Sequence, residues 1–367
     1  MTAARAQRQL APGCRIRVLI VDDSVVIRRL VTHALEEDPL IEVVGAASNG
    51  ALALERIPQV NPDAVTLDVE MPEMDGLEAL RRIRRLYPDL RVIMFSTLTE
   101  RGAASTFEAL ALGADDYVTK AANVGSLDRS IASLRGDLIP KIKQFFRLAA
   151  EGPPPVARPA GVRPAGVRPF PAARAVRPKV LVIGVSTGGP AALGLVMPRF
   201  GAGFPLPILI VQHMPPMFTR LLAERLQASS KLKIEEAAQG ARVEAGKVLI
   251  APGDYHLRIK KEGEAVKARL DQSPPENSCR PAVDVLFRSA AEVYGGAALA
   301  VVLTGMGQDG MRGVQSLKAL GAYVIAQDQA TSVVWGMPGA VVGAGLADCV
   351  TPLDGVVPEI LRQIGGN

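Results

Sequence analysis

The chain has 367 residues, enough for two domains, and its 48% apolar and 22% charged residues are the composition of an ordinary globular fold. Lys and Arg number 42 against 37 Asp and Glu, a formal +5, but residues 152–179 hold six cations (Arg158, Arg163, Arg168, Arg174, Arg177, Lys179) and no acid, so the rest of the chain stands at −1 and offers no basic fold for nucleic acid. Cys14, Cys279 and Cys349 are far apart and form no C-x-x-C, which excludes a disulfide framework and a cysteine zinc site and fits a reducing cytosol; no run of 18 apolar residues exists, so neither membrane insertion nor a signal peptide is expected.

In chain order, residues 1–14 read as a disordered tail. Between 15 and 136, apolar runs at 16–21, 41–47, 63–68, 91–96 and 116–120 predict buried parallel strands. Amphipathic stretches at 24–37, 49–57, 76–86, 102–112 and 123–135 predict the helices between them, so this part is one doubly wound α/β domain. Residues 137–178 read as a linker. Its prolines at 153, 154, 155, 159, 164, 169, 171 and 178 and the repeat ARPAG-VRPAG-VRPFP deny both helix and sheet, and its arginines keep it solvated. Residues 179–364 form a second α/β unit, with strands expected at 180–186, 207–213, 247–252, 298–305 and 322–327. Helices are expected at 189–197, 216–228, 281–293, 310–320 and 354–364. Residues 255–270 alternate apolar and polar about Glu262-Gly263, which predicts an antiparallel hairpin at the edge of a mostly parallel sheet.

Parallel sheets carry function beyond the carboxyl ends of their strands. In the first unit Asp22 and Asp23 follow the first strand, Asp68 ends the third, Ser96 the fourth and Lys120 the fifth. Three converging carboxylates call for a hard divalent cation. Asp115 and Asp116 read as solvated loop acids, and Asp75-Gly76 as a turn into a helix cap. VDDS at 21–24, DVEMPEMDG at 68–76, FS at 95–96 and VTK at 118–120 resemble a response-regulator receiver domain with a flavodoxin-like five-stranded parallel sheet. The resemblance implies that Asp68 is the phospho-acceptor and that Mg²⁺ is held by Asp22, Asp23, Asp68 and the carbonyl of Glu70. It makes Ser96 and Lys120 the residues that sense the phosphoryl group. Ala121 stands where that family usually has proline, so its cis peptide is not expected here.

The second unit opens with VLVIGVSTGGP, in which Gly184-Val185-Ser186-Thr187-Gly188 fits G-x-S-x-G between a strand and a helix. A nucleophile elbow and a phosphate-binding turn both use such a loop; a dinucleotide fingerprint is disfavoured because residue 186 is Ser where its second Gly belongs. Of three histidines, His33 reads as a surface residue. His213 ends a strand on the same rim as Ser186, and that coincidence favours a general base over a structural role. His256 either lines the groove or satisfies a buried loop. Asp309 is the ionisable residue of TGMGQDG at a third strand end, which completes Ser, His and Asp by role. The chain order Ser…His…Asp differs from that of α/β-hydrolases.

IGVSTGGP, VQHMPP, IAPGDYHL, CRPAVDVLF, LTGMGQDG and TSVVWGMPGA together resemble the chemotaxis protein-glutamate methylesterase family, CheB, from about 179 to 364. The resemblance implies catalysis by Ser186, His213 and Asp309 with backbone N–H groups of Thr187 and Met306 as oxyanion donors, and no cofactor in this unit. It implies a phosphorylation-activated enzyme that demethylates glutamate methyl esters, and deamidates glutamines, on methyl-accepting chemoreceptors, with a histidine kinase as phosphodonor. The expected protein is cytoplasmic and monomeric. Trp335 and Met337 read as wall or core, and Asp284 as a helix cap or salt-bridge partner. A transcription factor is the main rival, but nothing after residue 179 reads as a DNA-binding motif.

Overall fold

The computed structural model describes residues 7–97, 99–120, 127–148 and 176–365. The first unit alternates strand and helix: β1 Arg8–Leu10, β2 Ile16–Val21, α1 Val25–Glu36, β3 Ile41–Ala47, α2 Gly50–Val60, β4 Ala64–Asp68, α3 Gly76–Leu86, β5 Arg91–Ser96, α4 Glu100–Ala111, β6 Asp116–Thr119, α5 Leu127–Lys143 and β7 Phe146–Leu148. Side-chain caps start the helices where the sequence demands them. Ser24, Asn49, Asp75 and Thr99 each accept a hydrogen bond from a backbone N–H three residues on. The five central strands pair in the order β3-β2-β4-β5-β6, all parallel. The order reverses between β2 and β4, which opens a crevice beside Asp22 and Asp68.

The second unit runs β8 Val180–Val185, α6 Gly189–Val196, β9 Ile208–Gln212, α7 Phe218–Ser229, β10 Lys233–Glu236, β11 Lys247–Ile250, β12 His256–Glu262, β13 Ala265–Asp271, α8 Val283–Tyr294, β14 Ala298–Val302, α9 Met311–Ala319, β15 Tyr323–Gln327, α10 Met337–Gly343, β16 Cys349–Thr351 and α11 Val356–Gly365. Seven parallel strands form one sheet in the order β10-β11-β9-β8-β14-β15-β16. Here the chain reverses between β8 and β14, and the crevice opens beside Ser186 and Gly305. β8, β9 and β14 are buried along their whole length, as a sheet covered by helices on both faces requires.

Four expectations are corrected. The N-terminal stretch is not wholly a tail: β1 pairs in parallel with β7, Leu10 is buried, and Arg8 reaches Asp63 at 2.7 Å. Nor does the linker begin at 137, since α5 continues to Lys143 and β7 follows, with Leu138, Ile142 and Phe145 wholly buried. The hairpin β12–β13 is a separate two-stranded sheet packed on α8, where Ser289 Oγ accepts from Ile259 N–H at 3.1 Å. Asp115 and Asp116 are buried, not solvated. Asp115 holds Arg84 and Arg91 at 2.7 and 2.9 Å. The linker's prolines at 153–171 and the peptide after Lys120 lie outside the described residues.

The units pack on one another. The Tyr117 ring stacks on Phe218 at 5.0 Å and 3°, with Phe107 at 6.1 Å from the same ring, and α4 lies against α6 and α7. Arg220 pairs with Glu100 at the rim. Val334 joins a core cluster with Ile139, Phe145 and Phe146 of the first unit.

Candidate active site and phosphoacceptor pocket

Ser186 follows β8 in a turn that ends at Gly188, whose φ of +79° is a left-handed conformation that costs glycine little. Gly305, after β14, lies so close behind the serine that a Cβ there would sit 2.7 Å from Ser186 Cβ. Gln212 ends β9 and ties two strand ends together, its Nε2 donating to the carbonyls of Ser186 (3.0 Å) and His213 (3.3 Å). The turn thus presents Ser186 into a groove of about 540 Å³ that His213, Asp309, Cys279, Met306 and Thr187 also line.

His213 Nε2 lies 2.8 Å from Asp309 Oδ2. The carboxylate is 2% exposed and also accepts from the N–H groups of Val283 (2.7 Å), Asp284 (3.0 Å) and Gly310 (2.9 Å) and from Asn277 Nδ2 (2.9 Å). Burial works against its charge, but the His213 bond and these donors outweigh it and hold the carboxyl below its ordinary range. Burial likewise opposes the imidazolium of His213. The Cys279 sulfur and the Asp309 carboxylate beside the ring prevail, so its pKa is raised. With Nε2 committed to Asp309, Nδ1 is the ring nitrogen left to accept a proton. Ser186 Oγ makes no hydrogen bond to His213 here; the two share the groove wall without contact of that kind. Among the described residues no acceptor engages the N–H groups of Thr187 or Met306.

The other sequence candidates separate cleanly. His256 is fully buried, its Nδ1 accepting from Ala282 N–H and its Nε2 facing the Pro274 carbonyl, both at 3.2 Å, so it fastens a loop. Asp284 makes no salt bridge among the described residues, but it does cap a helix, satisfying a first-turn N–H of α9. It is buried in the first turn of α8 and accepts from Gly313 N–H (2.7 Å) and Asn277 Nδ2 (3.0 Å). Met337 is core, Trp335 lines a neighbouring groove and donates to the Gln327 carbonyl, and His33 is a surface residue near Glu37.

In the first unit Asp22, Asp23 and Asp68 offer carboxylate oxygens within 4.8 Å of one another. Lys120 Nζ spans the pocket at 2.9 Å from Asp22 and 2.8 Å from Asp68. The Asp22 oxygen that Lys120 meets, Oδ2, is buried, so the ammonium offsets its charge, and the three converging carboxylates are a donor set that a hard divalent cation takes. Burial and the Asp22 charge raise the Asp68 carboxyl to about 6 against the lowering effect of Lys120. Ser96 is turned away from this cluster and donates to the Gly102 carbonyl at 2.9 Å. The Glu70 side chain faces Arg101 at 3.4 Å.

Sequence reasoning missed the residues that join the two sites. Thr187 Oγ1 lies 3.1 Å from both Asp116 Oδ2 and Gln144 Oε1, and Gln144 Nε2 donates to Asp116 Oδ2 at 3.0 Å. The residue after Ser186 is therefore held by the first unit, and Tyr117, Pro140, Lys141 and Gln144 form the far wall of the groove. Asn277 and Cys279 were also missed; a Pro-Pro-Glu-Asn-Ser run carries the signal of a turn and nothing more.

Residues 181–360 match the family described as CheB methylesterase, and residues 18–132 the response regulator receiver domain. The protein-glutamate methylesterase/protein-glutamine glutaminase of Trichodesmium erythraeum is 51% identical over 351 residues, covering 96% of this chain and 99% of that protein. Its counterpart from Nocardioides sp. is 52% identical over 358 residues, 96% of each chain. The crystal structure of the Thermotoga maritima CheB methylesterase catalytic domain superposes with a TM-score of 0.50 at 46% identity, spanning 51% of this chain and 99% of that one.

Proposed function

Because the chain belongs to the CheB methylesterase family and carries a receiver domain in front of the catalytic one, we propose that it hydrolyses γ-glutamyl methyl esters, and deamidates glutamines, on chemoreceptors, under the control of phosphorylation at Asp68. The observation that carries the chemistry is the buried His213–Asp309 pair beside Ser186 at the point where the sheet order reverses. Ser186 Oγ attacks the ester carbonyl while His213 Nδ1 takes its proton. Asp309 holds the ring by Nε2 and stabilises the imidazolium. The N–H groups of Thr187 and Met306 receive the oxyanion. The imidazolium gives that proton to the leaving methoxide oxygen, which departs as methanol, or to the leaving amide nitrogen of a glutamine, which departs as ammonia, and water then releases the carboxylate by the same route. A methyl ester and a primary amide differ only in the leaving group, so one groove serves both.

Control follows from the wall that the receiver lends to the groove. Asp22, Asp23 and Asp68, with the Glu70 carbonyl, suit Mg²⁺, which when bound screens the charge of an incoming phosphoryl group. Once Asp68 is phosphorylated, Lys120 pairs with the new oxygens, and Ser96 leaves the Gly102 carbonyl to donate to them. Lys120 N–H is bonded to the Ser96 carbonyl at 2.6 Å and directly follows β6, so the rearrangement runs along β6 to Tyr117 and Asp116. Those are the residues that contact Phe218 and Thr187. A histidine kinase is the fitting phosphodonor. Methanol release from methylated receptor membranes tests the reading: Ser186→Ala should fold normally and lose at least about 10³-fold in kcat. Near-native release by that variant would remove Ser186 from the mechanism.

A further inference from the structure

We infer that Asn277 is a positioning residue of the esterase, an amide that bonds the Asp309 oxygen turned away from His213 and moderates the pull of the carboxylate on that ring. The inference rests on the triad reading above and extends it to a residue outside the triad. Asp309 takes three of its hydrogen bonds from backbone N–H groups at the start of α8 and at Gly310, which the fold supplies whatever the side chains are. Among the described residues only two side chains reach it, His213 on Oδ2 and Asn277 on Oδ1. The second hydrogen of the same Asn277 amide goes to Asp284 Oδ2 at 3.0 Å. One NH₂ group therefore separates and neutralises two buried carboxylates, and no other residue type of that size donates two hydrogens from one atom without adding charge.

The backbone shows how it is held there. Asn277 and Ser278 have φ of 52° and 61°, inside the left-handed region that asparagine tolerates better than most residues. Reciprocal backbone bonds between Glu276 and Cys279, at 3.1 and 2.9 Å, close the turn. Glu276 is clamped by both guanidinium nitrogens of Arg288 (2.7 and 2.6 Å), and Arg280 by Asp254. The loop so braced is also a wall of the catalytic groove, through Asn277, Ser278, Cys279 and Arg280. The charged and titratable groups around the pair are Asp284 and Arg288 from α8, Glu276, Cys279 and Arg280 from this loop, His256 behind it, and Asp116, Tyr117, Asp137 and Lys141 of the first unit across the groove.

Hydrogen bonds to a carboxylate spread its charge and weaken its hold on a neighbouring cation. Removing the Asn277 amide leaves Asp309 in place on its backbone donors but with less of its charge spread, and so makes it a stronger partner for the imidazolium. His213 then releases its proton at higher pH. The suitable variant is Asn277→Gly, which keeps the left-handed backbone; Asn277→Asp puts an oxygen against two carboxylates and should act in the same direction and more strongly. In the full chain, activated by Mg²⁺ and a small phosphodonor, Asn277→Gly is expected to lower kcat about tenfold with KM changed less than twofold. The acid limb of kcat/KM should move to higher pH by about half a unit or more. The chain has three histidines, so NMR of the histidine-labelled protein follows the His213 titration directly, even in a variant of low activity. A limb and a His213 titration both in the wild-type position would overturn the proposal whatever happens to kcat. Asp309→Asn separates the two readings: if that variant remains active the triad itself is at fault, and if it is inactive while Asn277→Gly behaves as wild type, only the role of Asn277 falls.

Discussion

At the scale of single residues, the site is a contest between burial and charge, and burial loses. A histidine sunk in a groove should resist protonation, yet the Asp309 carboxylate at 2.8 Å and the Cys279 sulfur raise His213 above its ordinary range. The sign matters for activity. The neutral ring is the base, so its population grows as pH rises, and a raised pKa moves the acid limb of kcat/KM upward. Methanol release should therefore still be climbing above pH 7. Asp309→Asn removes the charge that favours the imidazolium. It should shift the limb to lower pH while cutting kcat by about 10³-fold or more, because an amide no longer selects the ring tautomer with its free nitrogen toward Ser186. A limb that stays put in that variant would mean that Asp309 does not set the basicity of His213. The same paired observation, activity against pH rather than activity alone, distinguishes a charge effect from a loss of structure.

At the scale of elements, what could be read from the sequence and what could not divide along one line. Ser186, His213, Asp22 and Asp68 stand at the ends of apolar runs that read as buried parallel strands, and Asp309 lies in the loop from such a strand to α9, so strand-end position is a local signal. Pairings between distant segments leave no such mark. β1 and β7 are three residues each, too short for a period to show, and they are neighbours only because α5 carries the chain back across the sheet. β10, β16 and α10 escaped notice for a related reason: they are short and lie at the edge of the unit, where half-exposed residues blur the pattern. Phe107, Tyr117 and Phe218 were legible as apolar positions but not as partners, since periodicity says that a face is covered and not by what. The pairing of β1 with β7 has a measurable consequence. Leu10 is buried among the side chains of α5, and burying a leucine contributes about 1.5–3 kcal/mol. Deleting residues 1–11 should lower the stability of the receiver by about 2 kcal/mol, read as a shift in the urea midpoint of its unfolding transition. An unchanged midpoint would show that the strand adds nothing to the fold.

At the scale of the whole molecule, the receiver forms one wall of the groove, and under the function proposed above that wall must move for a receptor side chain to reach Ser186. The lock is modest. Thr187 shares its hydroxyl between Asp116 and Gln144, Tyr117 stacks on Phe218, and Arg220 meets Glu100 at the edge. A net hydrogen bond contributes about 0.5–1.5 kcal/mol, and about 1.4 kcal/mol changes the open population tenfold, so losing one or two of these contacts is enough. Gln144→Ala removes one of them, the bond to Thr187, and with it the support that Gln144 gives Asp116, without touching the phosphoacceptor pocket, and should raise activity severalfold in the absence of phosphodonor. Separation has room in the sequence, since residues 149–175 lie between the two units. The fragment 179–367, which corresponds in extent to the catalytic domain that exists by itself from Thermotoga maritima, should then exceed the unphosphorylated full chain in methanol release. Asp68→Asn should keep the basal rate of the full chain and lose its stimulation by a small phosphodonor with Mg²⁺. These two results belong together, because occlusion predicts both a faster fragment and a switch that works only through Asp68. A fragment no faster than the intact chain would mean that the receiver does not inhibit by covering Ser186, and that phosphorylation must act by another route, such as bringing the enzyme to its receptor.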